Sequence, residues 1–329
     1  YSVIRNLHAE DGKVVFVGAS PTRMAEAVVM DLRHGTARVA QKTSTVNIGS
    51  EYLSAAQPVS YPTEDGAQAH AYYYAPKNPA FRGLDGERPP LLVMSHGGPT
   101  GATSPELNLV KQYWTSRGIA VLDINYGGST GYGRVYRERL RLKWGIVDID
   151  DCVAGALFLV DQGLVDGGRL AIRGGSAGGY TTLAALTFRD VFHVGASYFG
   201  VSDLAALTKD THKFESRYLD GLIGPYPEAK ETYIERAPIH AVDKLACPLI
   251  FFQGLEDAVV PPNQAEMMVD ALREKGLPVA YVPFEGEQHG FREAKNIKRS
   301  LDAELYFYGR ILGFEIADSV EALQIDNLD

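Results

Sequence analysis

A serine flanked by glycines is the part of this sequence whose residue types most directly suggest chemistry. Ser176 stands in the pattern G-x-S-x-G with Gly174 and Gly178, after a short apolar run (170–172) and before a helix-compatible run (181–186). A serine at such a strand-to-helix turn has a strained backbone and an exposed hydroxyl, and the crowded turn requires glycines two residues to either side. The N-terminus of the following helix favours negative charge beside the hydroxyl. Ser176 is therefore our candidate nucleophile.

A second G-x-S-x-G pattern surrounds Ser129, which also follows a strand-like run (119–125). Here the residues that come next include Gly131 and Gly133, which prevent a helix from beginning directly after the serine. We therefore predict that Ser129 is a loop residue.

An acid and a histidine follow the candidate nucleophile at the ends of two later strand-like runs. Glu256 and Asp257 follow the apolar run 248–252, and His289 follows the run 278–284. The order serine, acid, histidine, each after a later strand, is that of the α/β-hydrolases, where the histidine is the general base and the acid orients it. Spacing does not separate Glu256 from Asp257 as the acid. The other downstream histidines precede both acids and would break this order: His193, His212 and His240.

A glycine-rich loop after the strand-like run 91–95 is suited to donate hydrogen bonds to an oxyanion. In enzymes with this serine turn, one donor is the backbone N–H of the residue after the serine, here Ala177, and a second comes from the loop after the third strand. The loop here reads His-Gly-Gly-Pro and ends at Pro99. A glycine amide can approach an oxyanion without obstruction by a Cβ, so we predict that Gly98 is the second donor. The segment also fits a tight turn closed by Pro99.

Five segments together resemble the prolyl oligopeptidase family of serine peptidases, and most of all its acylaminoacyl peptidase and dipeptidyl or aminopeptidase-like branch: 96–99, 125–133, 174–180, 254–261 and 287–291. The resemblance implies that Ser176 is the nucleophile, His289 the general base and Asp257, rather than Glu256, the orienting acid. It implies a serine peptidase that hydrolyses short peptides near their N-terminus through an acyl-enzyme, without a cofactor.

Two positions inside these segments carry further information. Gly127 stands where the family usually has an arginine, so any role of that guanidinium is missing here or supplied by another residue. His96 resembles the acylaminoacyl branch, because prolyl oligopeptidases proper carry a tyrosine at this position. A strict post-proline endopeptidase is therefore not the expected activity.

The first residues predict a separate antiparallel unit. Three short strand-like runs (13–19, 25–32 and 36–40) are separated by turn residues. This meander resembles one blade of the β-propeller that precedes the hydrolase domain in the family. Because one blade cannot close a ring and the chain begins at Tyr1, we expect the C-terminal part of a longer polypeptide whose partner is a missing propeller portion. A small antiparallel cap standing alone is the alternative.

The remaining elements predict an α/β-hydrolase fold: a mostly parallel eight-stranded sheet with helices on both faces, preceded by the remnant propeller blade. Predicted strands alternate with helices, including one long helix near 134–162 and others at 177–188, 263–275 and 292–312. We assign 1–52 to the incomplete blade and linker and 53–329 to the catalytic domain. The acidic tail from residue 315 onward is predicted to be a solvated extension packed on the sheet edge.

Composition sets outer limits on function. The 329-residue chain has 45% hydrophobic residues and a net charge of −9, which fits a globular enzyme and argues against a nucleic-acid partner. No apolar run is long enough to span a membrane and no secretory signal opens the sequence, so a cytoplasmic location is predicted. Cys152 and Cys247 are predicted to be buried free thiols. No metal-ligand spacing or phosphate-binding loop is present.

Substrate selection is the least determined feature. Phe214 and Glu215, in a predicted insertion, are candidates to pack on a substrate side chain and to pair with its amino terminus, and Tyr180 is a third candidate for substrate contact. A solvated structural insertion is the alternative. A carboxylesterase or other small-molecule hydrolase remains open, because the same residues serve esters. A non-catalytic binding module is disfavoured by the complete serine, acid and histidine set. A homo-oligomer is left open.

Overall fold

The computed structural model describes residues 1–64, 66–210 and 217–328. The N-terminal part forms a sheet of four antiparallel strands in the order β1-β2-β3-β4: β1 (Val3–Glu10), β2 (Lys13–Ser20), β3 (Arg23–Asp31) and β4 (Thr36–Lys42). The sequence predicted only the last three. β1 is exposed along nearly its whole length. Its sequence lacks the alternation of apolar and polar residues from which half-buried strands are recognised.

A second sheet of eight strands follows: β5 (Gln57–Pro62), β6 (Gln68–Tyr74), β7 (Leu91–Ser95), β8 (Ala120–Asn125), β9 (Leu170–Gly175), β10 (Val194–Tyr198), β11 (Leu249–Gly254) and β12 (Val279–Phe284). Their order is β12-β11-β10-β9-β7-β8-β6-β5. All pairs from β12 to β8 are parallel, whereas β6 pairs antiparallel with both β8 and β5. This confirms the predicted mostly parallel sheet of an α/β-hydrolase-like fold.

Helices cover both faces of this sheet: α1 (Leu109–Thr115), α2 (Arg134–Glu138), α3 (Val147–Asp161), α4 (Ala177–Phe188), α5 (Leu204–Asp210), α6 (Tyr218–Leu222), α7 (Lys230–Arg236), α8 (Asn263–Lys275) and α9 (Ala294–Leu312), with short 3₁₀ helices at Ser50–Tyr52 and Pro238–Lys244. Alternate residues of β7 enter two different cores, since Leu91 and Val93 belong to the cluster that includes residues of α3 and α4, while Leu92 belongs to the cluster that includes residues of α1 and α9. Burial on both faces explains the continuous apolar strands in the sequence.

The prediction of one helix near 134–162 was wrong. The structure has two helices, α2 and α3, separated by a turn in which Leu142 and Gly145 adopt left-handed backbone conformations (φ of 57° and 81°). Asp148, at the start of α3, is fully buried, and its carboxylate accepts a hydrogen bond from the Gly145 N–H at 2.7 Å. A glycine is favoured at a positive φ, so this turn breaks the helical pattern and brings Trp144 into the interior.

The tail packs on the sheet edge, as predicted. Asp326 exchanges backbone hydrogen bonds with Val279 of the edge strand β12, at 3.1 and 2.8 Å. Earlier in the tail, Asp318 receives two hydrogen bonds from the Arg117 guanidinium, at 2.9 and 2.8 Å. These contacts attach the tail to β12 and to the loop after α1.

Both cysteines are free thiols, as predicted. Cys152 is buried, whereas Cys247 is only partly buried, which corrects the prediction that both are buried. The Cys247 Sγ lies 3.0 Å from the carbonyl oxygen of Phe192. None of the helices in the described part of the chain is both long and apolar enough to cross a lipid bilayer.

Candidate active site

Ser176 lies on the turn between β9 and α4, with a φ of 57° and a ψ of −122°. Its N–H donates a hydrogen bond to the carbonyl of Tyr198 on the neighbouring strand β10, at 2.9 Å. The flanking glycines are required sterically. A Cβ on Gly174 would lie 2.2 Å from the Gly178 carbonyl oxygen, and a Cβ on Gly178 would lie 2.2 Å from that of Ser95. Strand, turn and helix therefore approach too closely for any other residue at these two positions.

The structure brings Ser176, His289 and Asp257 into one chain of hydrogen bonds. His289 Nε2 lies 2.9 Å from Ser176 Oγ, and His289 Nδ1 lies 2.7 Å from Asp257 Oδ2. The Asp257 contact assigns the imidazole proton to Nδ1, which leaves the Nε2 lone pair to accept from the serine hydroxyl. This arrangement can remove a proton from the hydroxyl as it attacks a carbonyl.

Asp257 is buried, and backbone amides hold its carboxylate in place. Its Oδ1 accepts hydrogen bonds from the N–H groups of Val259 and Val260, at 2.8 and 2.9 Å. Because these amides saturate one oxygen, the other is directed to the histidine. Glu256, the alternative acid, has an exposed side chain. The geometry therefore places Asp257, and not Glu256, on the imidazole.

A buried glutamate that the sequence analysis missed anchors the histidine loop. Glu287 accepts hydrogen bonds from the N–H groups of Arg292 and Glu293 and from the side chain of Asn296, each at 2.9 Å. Burial raises the pKa of Glu287, but the hydrogen bonds from Asn296 and the two amides outweigh burial, and the net pKa lies below its ordinary value. The ionised carboxylate fixes the chain between β12 and α9, where His289 lies.

The glycine-rich loop after β7 lies against the serine turn. A Cβ on Gly97 would lie 3.2 Å from the carbonyl oxygen of Gly175 and 3.5 Å from Ser176 Cβ, and Gly98 has a φ of 123°. Gly98, Ala177 and Ser176 line one cavity. The two residues predicted to donate to an oxyanion therefore border the space beside the serine hydroxyl.

His96 holds this loop in place. Its ring stacks on Tyr126 with centroids 4.3 Å apart, and its Nε2 lies 2.7 Å from Ser129 Oγ. Burial lowers the pKa of His96, which favours the neutral imidazole. Ser129 is a fully buried loop residue and does not join the Ser176 group. Its hydroxyl instead orients the histidine that begins the glycine-rich loop.

A cavity of about 350 Å³ opens beside Ser176 and His289. Among the described residues, most of its wall is apolar: Pro99, Trp144, Val201, Leu207, Leu219 and Val259. Of these, the sequence analysis connected only the segments that contain Pro99 and Val259 with the site. Trp144 lies in the turn between α2 and α3, within the segment that the sequence predicted to be one helix. Gly145, inside an otherwise helical pattern, was the signal for this break.

The three predicted substrate contacts have different outcomes. Tyr180 is fully buried, its ring packs on Trp144 with centroids 4.5 Å apart, and its hydroxyl donates to the Arg236 carbonyl at 3.0 Å. It therefore supports a residue of the cavity wall and does not itself line the cavity, which corrects the expectation of direct substrate contact. Phe214 and Glu215 lie outside the described residues.

Arg139 occupies the space beside Gly127. A Cβ on Gly127 would lie 2.8 Å from Arg139 Nη1, and the Gly127 N–H donates to Asp151 at 2.6 Å. Arg139 pairs with the same buried carboxylate through both terminal nitrogens, each 3.1 Å from an oxygen. A guanidinium is thus supplied to this loop from α2's C-terminal end, and a side chain at position 127 would displace it.

The sheet, the serine turn and the hydrogen-bonded Ser176, His289 and Asp257 define an α/β-hydrolase-like fold with a candidate serine nucleophile. Residues 105–315 match the prolyl oligopeptidase family. The chain belongs to this family.

Several relatives are similar to the chain over part of their length. Dipeptidyl aminopeptidase BIII of Pseudoxanthomonas mexicana is 32% identical over 250 residues, which cover 73% of this chain and 36% of the relative. The acylamino-acid-releasing enzyme of Arabidopsis thaliana is 29% identical over 217 residues, which cover 62% and 28%. The matched residues therefore cover roughly a third of the length of these relatives.

Among solved structures, a puromycin-hydrolyzing peptidase of Mycobacterium tuberculosis superimposes with a TM-score of 0.95 at 49% identity. The match covers 97% of this chain and 49% of that protein. A puromycin hydrolase structure matches with a TM-score of 0.93 at 45% identity, over 97% and 48% of the two chains. The chain corresponds to about half of each of these proteins.

Proposed function

We propose that this chain carries the catalytic site of a serine peptidase that cleaves short peptides or aminoacyl amides near their N-terminus. The observation that carries the proposal is the hydrogen-bonded chain from Ser176 through His289 to Asp257, with distances of 2.9 and 2.7 Å. Family membership and the peptidase names of the relatives support the same reaction class.

In the proposed reaction, His289 Nε2 removes the proton as Ser176 Oγ attacks the substrate carbonyl carbon. The amides of Ala177 and Gly98 hold the negative oxygen of the tetrahedral intermediate. The C–N bond then breaks, the amine leaves with the proton from His289, and the acyl group stays on Ser176. Water, deprotonated by His289, releases the acid. Asp257 keeps the imidazole proton on Nδ1 and stabilises the imidazolium. No cofactor takes part in these steps.

The cavity beside Ser176 is proposed to take the side chain of the residue that becomes the acyl group. Away from Ser176 and His289, the described residues that line it have uncharged side chains. Burying a charged side chain there would lack a compensating partner, so we expect large neutral side chains to be preferred. The names of the relatives add a free α-amine and puromycin as candidate substrate features.

The test is kcat/KM of the full-length protein on three p-nitroanilides that share one aromatic acyl residue. One carries a free α-amine, one an N-acetyl group and one an additional N-terminal residue. A preference for one of them identifies an aminopeptidase, an acylaminoacyl peptidase or a dipeptidyl peptidase, respectively, and puromycin hydrolysis is measured beside them. Hydrolysis of unactivated esters without turnover of any amide would contradict the proposal and indicate a carboxylesterase. Ser176→Ala is the control for contaminating activity.

We also propose that the four-stranded sheet is a β-propeller blade, that residues 53–329 form the catalytic domain, and that further propeller strands belong to the full protein. The antiparallel meander and the greater length of the relatives support this. Small-angle scattering of the full-length protein would test it, and a molecule without a second globular unit would contradict it. The same sample gives the oligomeric state, and cell fractionation tests the predicted cytoplasmic location.

A further inference from the structure

Phe199, the residue after β10, has a backbone conformation that a bulky side chain rarely adopts. Its φ is 38°, which lies in the left-handed region that is costly for most residues other than glycine, asparagine and aspartate. Its N–H donates to the Phe252 carbonyl at 2.7 Å, and the preceding carbonyl, of Tyr198, accepts from the Ser176 N–H at 2.9 Å. Strained residues of this kind cluster at functional sites, so the Phe199 side chain is a candidate for a role in this site.

The Phe199 ring contacts the imidazole of His289. The two ring centroids lie 4.8 Å apart, and the ring planes cross at 62°. A second aromatic ring, that of Phe291, packs edge to face against Phe199, with centroids 5.5 Å apart. The imidazole is therefore in contact with a partly buried ring that is itself supported by a neighbouring ring.

His289 lies on a loop whose own backbone gives it little support. Gly286 and Gly290, on either side of it, both have left-handed conformations, with φ of 73° and 103°, and glycine has more backbone freedom than other residues. The hydrogen bonds at the two imidazole nitrogens fix the directions in which these atoms point. The packing contact with Phe199 occupies space into which the imidazole could otherwise turn.

Gly175, the residue before Ser176, leaves room for the Phe199 ring. A Cβ on Gly175 would lie 3.1 Å from Phe199 Cε2 and 3.2 Å from Phe199 Cζ. Gly175 does not have a positive φ, so its backbone conformation alone would accept a side chain. The ring of Phe199 therefore accounts for the need for a glycine here, and an alanine at this position would push on that ring.

We propose that Phe199 is a positioning residue, whose ring keeps the His289 imidazole aligned between Ser176 and Asp257. The inference rests on the proposed function and adds a residue to the site that carries it. Because Phe199 acts through the imidazole, its loss should lower the rate of the chemical step and leave substrate affinity nearly unchanged. Misplacement of a reacting group by about 1 Å can cost about 10²-fold in rate, so the expected loss of kcat is about 10- to 100-fold.

The first test replaces Phe199 by leucine in the full-length protein. We expect kcat on an aromatic aminoacyl p-nitroanilide to fall by about 10- to 100-fold, with KM within about threefold of wild type. The control is Phe158→Leu, a partly buried ring on α3 that stacks on Tyr61 with centroids 5.9 Å apart. An unchanged kcat in Phe199→Leu, or an equal loss of kcat in the control, would overturn the inference. Phe199→Gly, which accepts the left-handed backbone without strain, carries the same prediction if the leucine variant unfolds.

The second test is a double-mutant cycle with Gly175→Ala. The added Cβ should displace the Phe199 ring and lower kcat by about three- to tenfold in the wild-type background. In Phe199→Leu, which lacks the Cε2 and Cζ atoms, the same substitution should change kcat by less than about twofold. Losses that multiply in the double variant would mean that Gly175→Ala acts independently of the ring, and they would contradict the inference.

Reaction with a fluorophosphonate separates this inference from the proposed peptidase activity. Ser176 Oγ forms a bond to phosphorus, fluoride leaves and His289 accepts the hydroxyl proton, so the rate depends on the imidazole without requiring an amide substrate. If wild-type protein is labelled but hydrolyses no p-nitroanilide, the proposed function fails, whereas labelling that is about 10- to 100-fold slower in Phe199→Leu still supports the positioning role. Equal labelling rates in the two proteins, or no labelling of either, would refute that role.

Discussion

Replacing Asp148 by asparagine should stabilise the fold above about pH 4, with the full effect above about pH 6, although it changes a fully buried and hydrogen-bonded side chain. Asp148 Oδ1 accepts from the Gly145 N–H at 2.7 Å, and its Oδ2 accepts from the Thr181 hydroxyl at 2.6 Å. Asparagine keeps both contacts. Its oxygen accepts from Gly145 and its nitrogen donates to Thr181 Oγ1, whose own proton turns to the Ala177 carbonyl at 3.1 Å.

The magnitude follows from the pKa of Asp148. Burial raises this pKa from 3.8 to about 6, against the lowering effect of the hydrogen bonds from Thr181 and Gly145. The pKa of Asp148 is higher in the folded state than in the unfolded state, so the neutral acid stabilises the fold fully at pH values below the unfolded-state pKa. This stabilisation is lost as the pH rises through the folded-state pKa of about 6. A difference of about two pKa units corresponds to about 3 kcal/mol. An asparagine, which is always neutral, avoids that loss.

The assay is urea unfolding of both proteins at two pH values. The free energy of unfolding of Asp148→Asn should exceed that of wild type by about 3 kcal/mol at about pH 8 and by about half as much near pH 5. The control is Asp150→Asn, on the same helix, whose partly exposed ion pair with Arg189 (2.6 Å) should contribute less than about 1 kcal/mol. A variant less stable than wild type at pH 8, or a difference independent of pH, would refute the reasoning.

Three further substitutions test other parts of the site and its scaffold. Asp257→Asn should lower kcat by about 10⁴-fold, because the imidazole loses its orienting carboxylate, whereas Glu256→Gln should leave kcat nearly unchanged. Equal losses of kcat in steady-state assays would contradict the assignment of Asp257 as the orienting acid. Gly178→Ala should destabilise the fold by at least about 3 kcal/mol in urea unfolding, since its Cβ would lie 2.2 Å from a backbone oxygen, whereas Gly221→Ala has open space and should change little. Lys275→Met should lower the free energy of unfolding by about 1–2 kcal/mol, because its ammonium caps three carbonyls at 2.5–2.9 Å, and an unchanged midpoint would exclude that role.

Local chemistry explains which parts of the site the sequence could reveal. The turn at Ser176 has its own signature, because the strained backbone demands glycines at fixed spacing. The acid and the histidine were recognisable because parallel strands end at one edge of the sheet, so residues after β11 and β12 meet there. The choice between Glu256 and Asp257 needed the structure, since adjacent residues on a loop differ only in the direction of their side chains.

The missed features depend on contacts that are distant in the sequence. Trp144 reaches the cavity because Asp148 holds a left-handed Gly145, and the surrounding residues otherwise have a helical pattern. Tyr180 follows the serine turn closely, yet its position on α4 directs the ring beneath Trp144 and away from the cavity. Strand β1 escaped recognition because its exposed residues bury no regular face. In each case tertiary packing decided what local propensity left open.

The central claim, that Ser176 is the nucleophile of an amide-hydrolysing site, is tested most directly by the two serines that share the G-x-S-x-G pattern. The measurement is kcat/KM of the full-length protein on an aromatic aminoacyl p-nitroanilide for wild type, Ser176→Ala and Ser129→Ala. We predict a loss of at least about 10⁵-fold for Ser176→Ala, and a change within about tenfold for Ser129→Ala, whose hydroxyl is hydrogen-bonded to His96. Turnover that survives in Ser176→Ala would contradict the account.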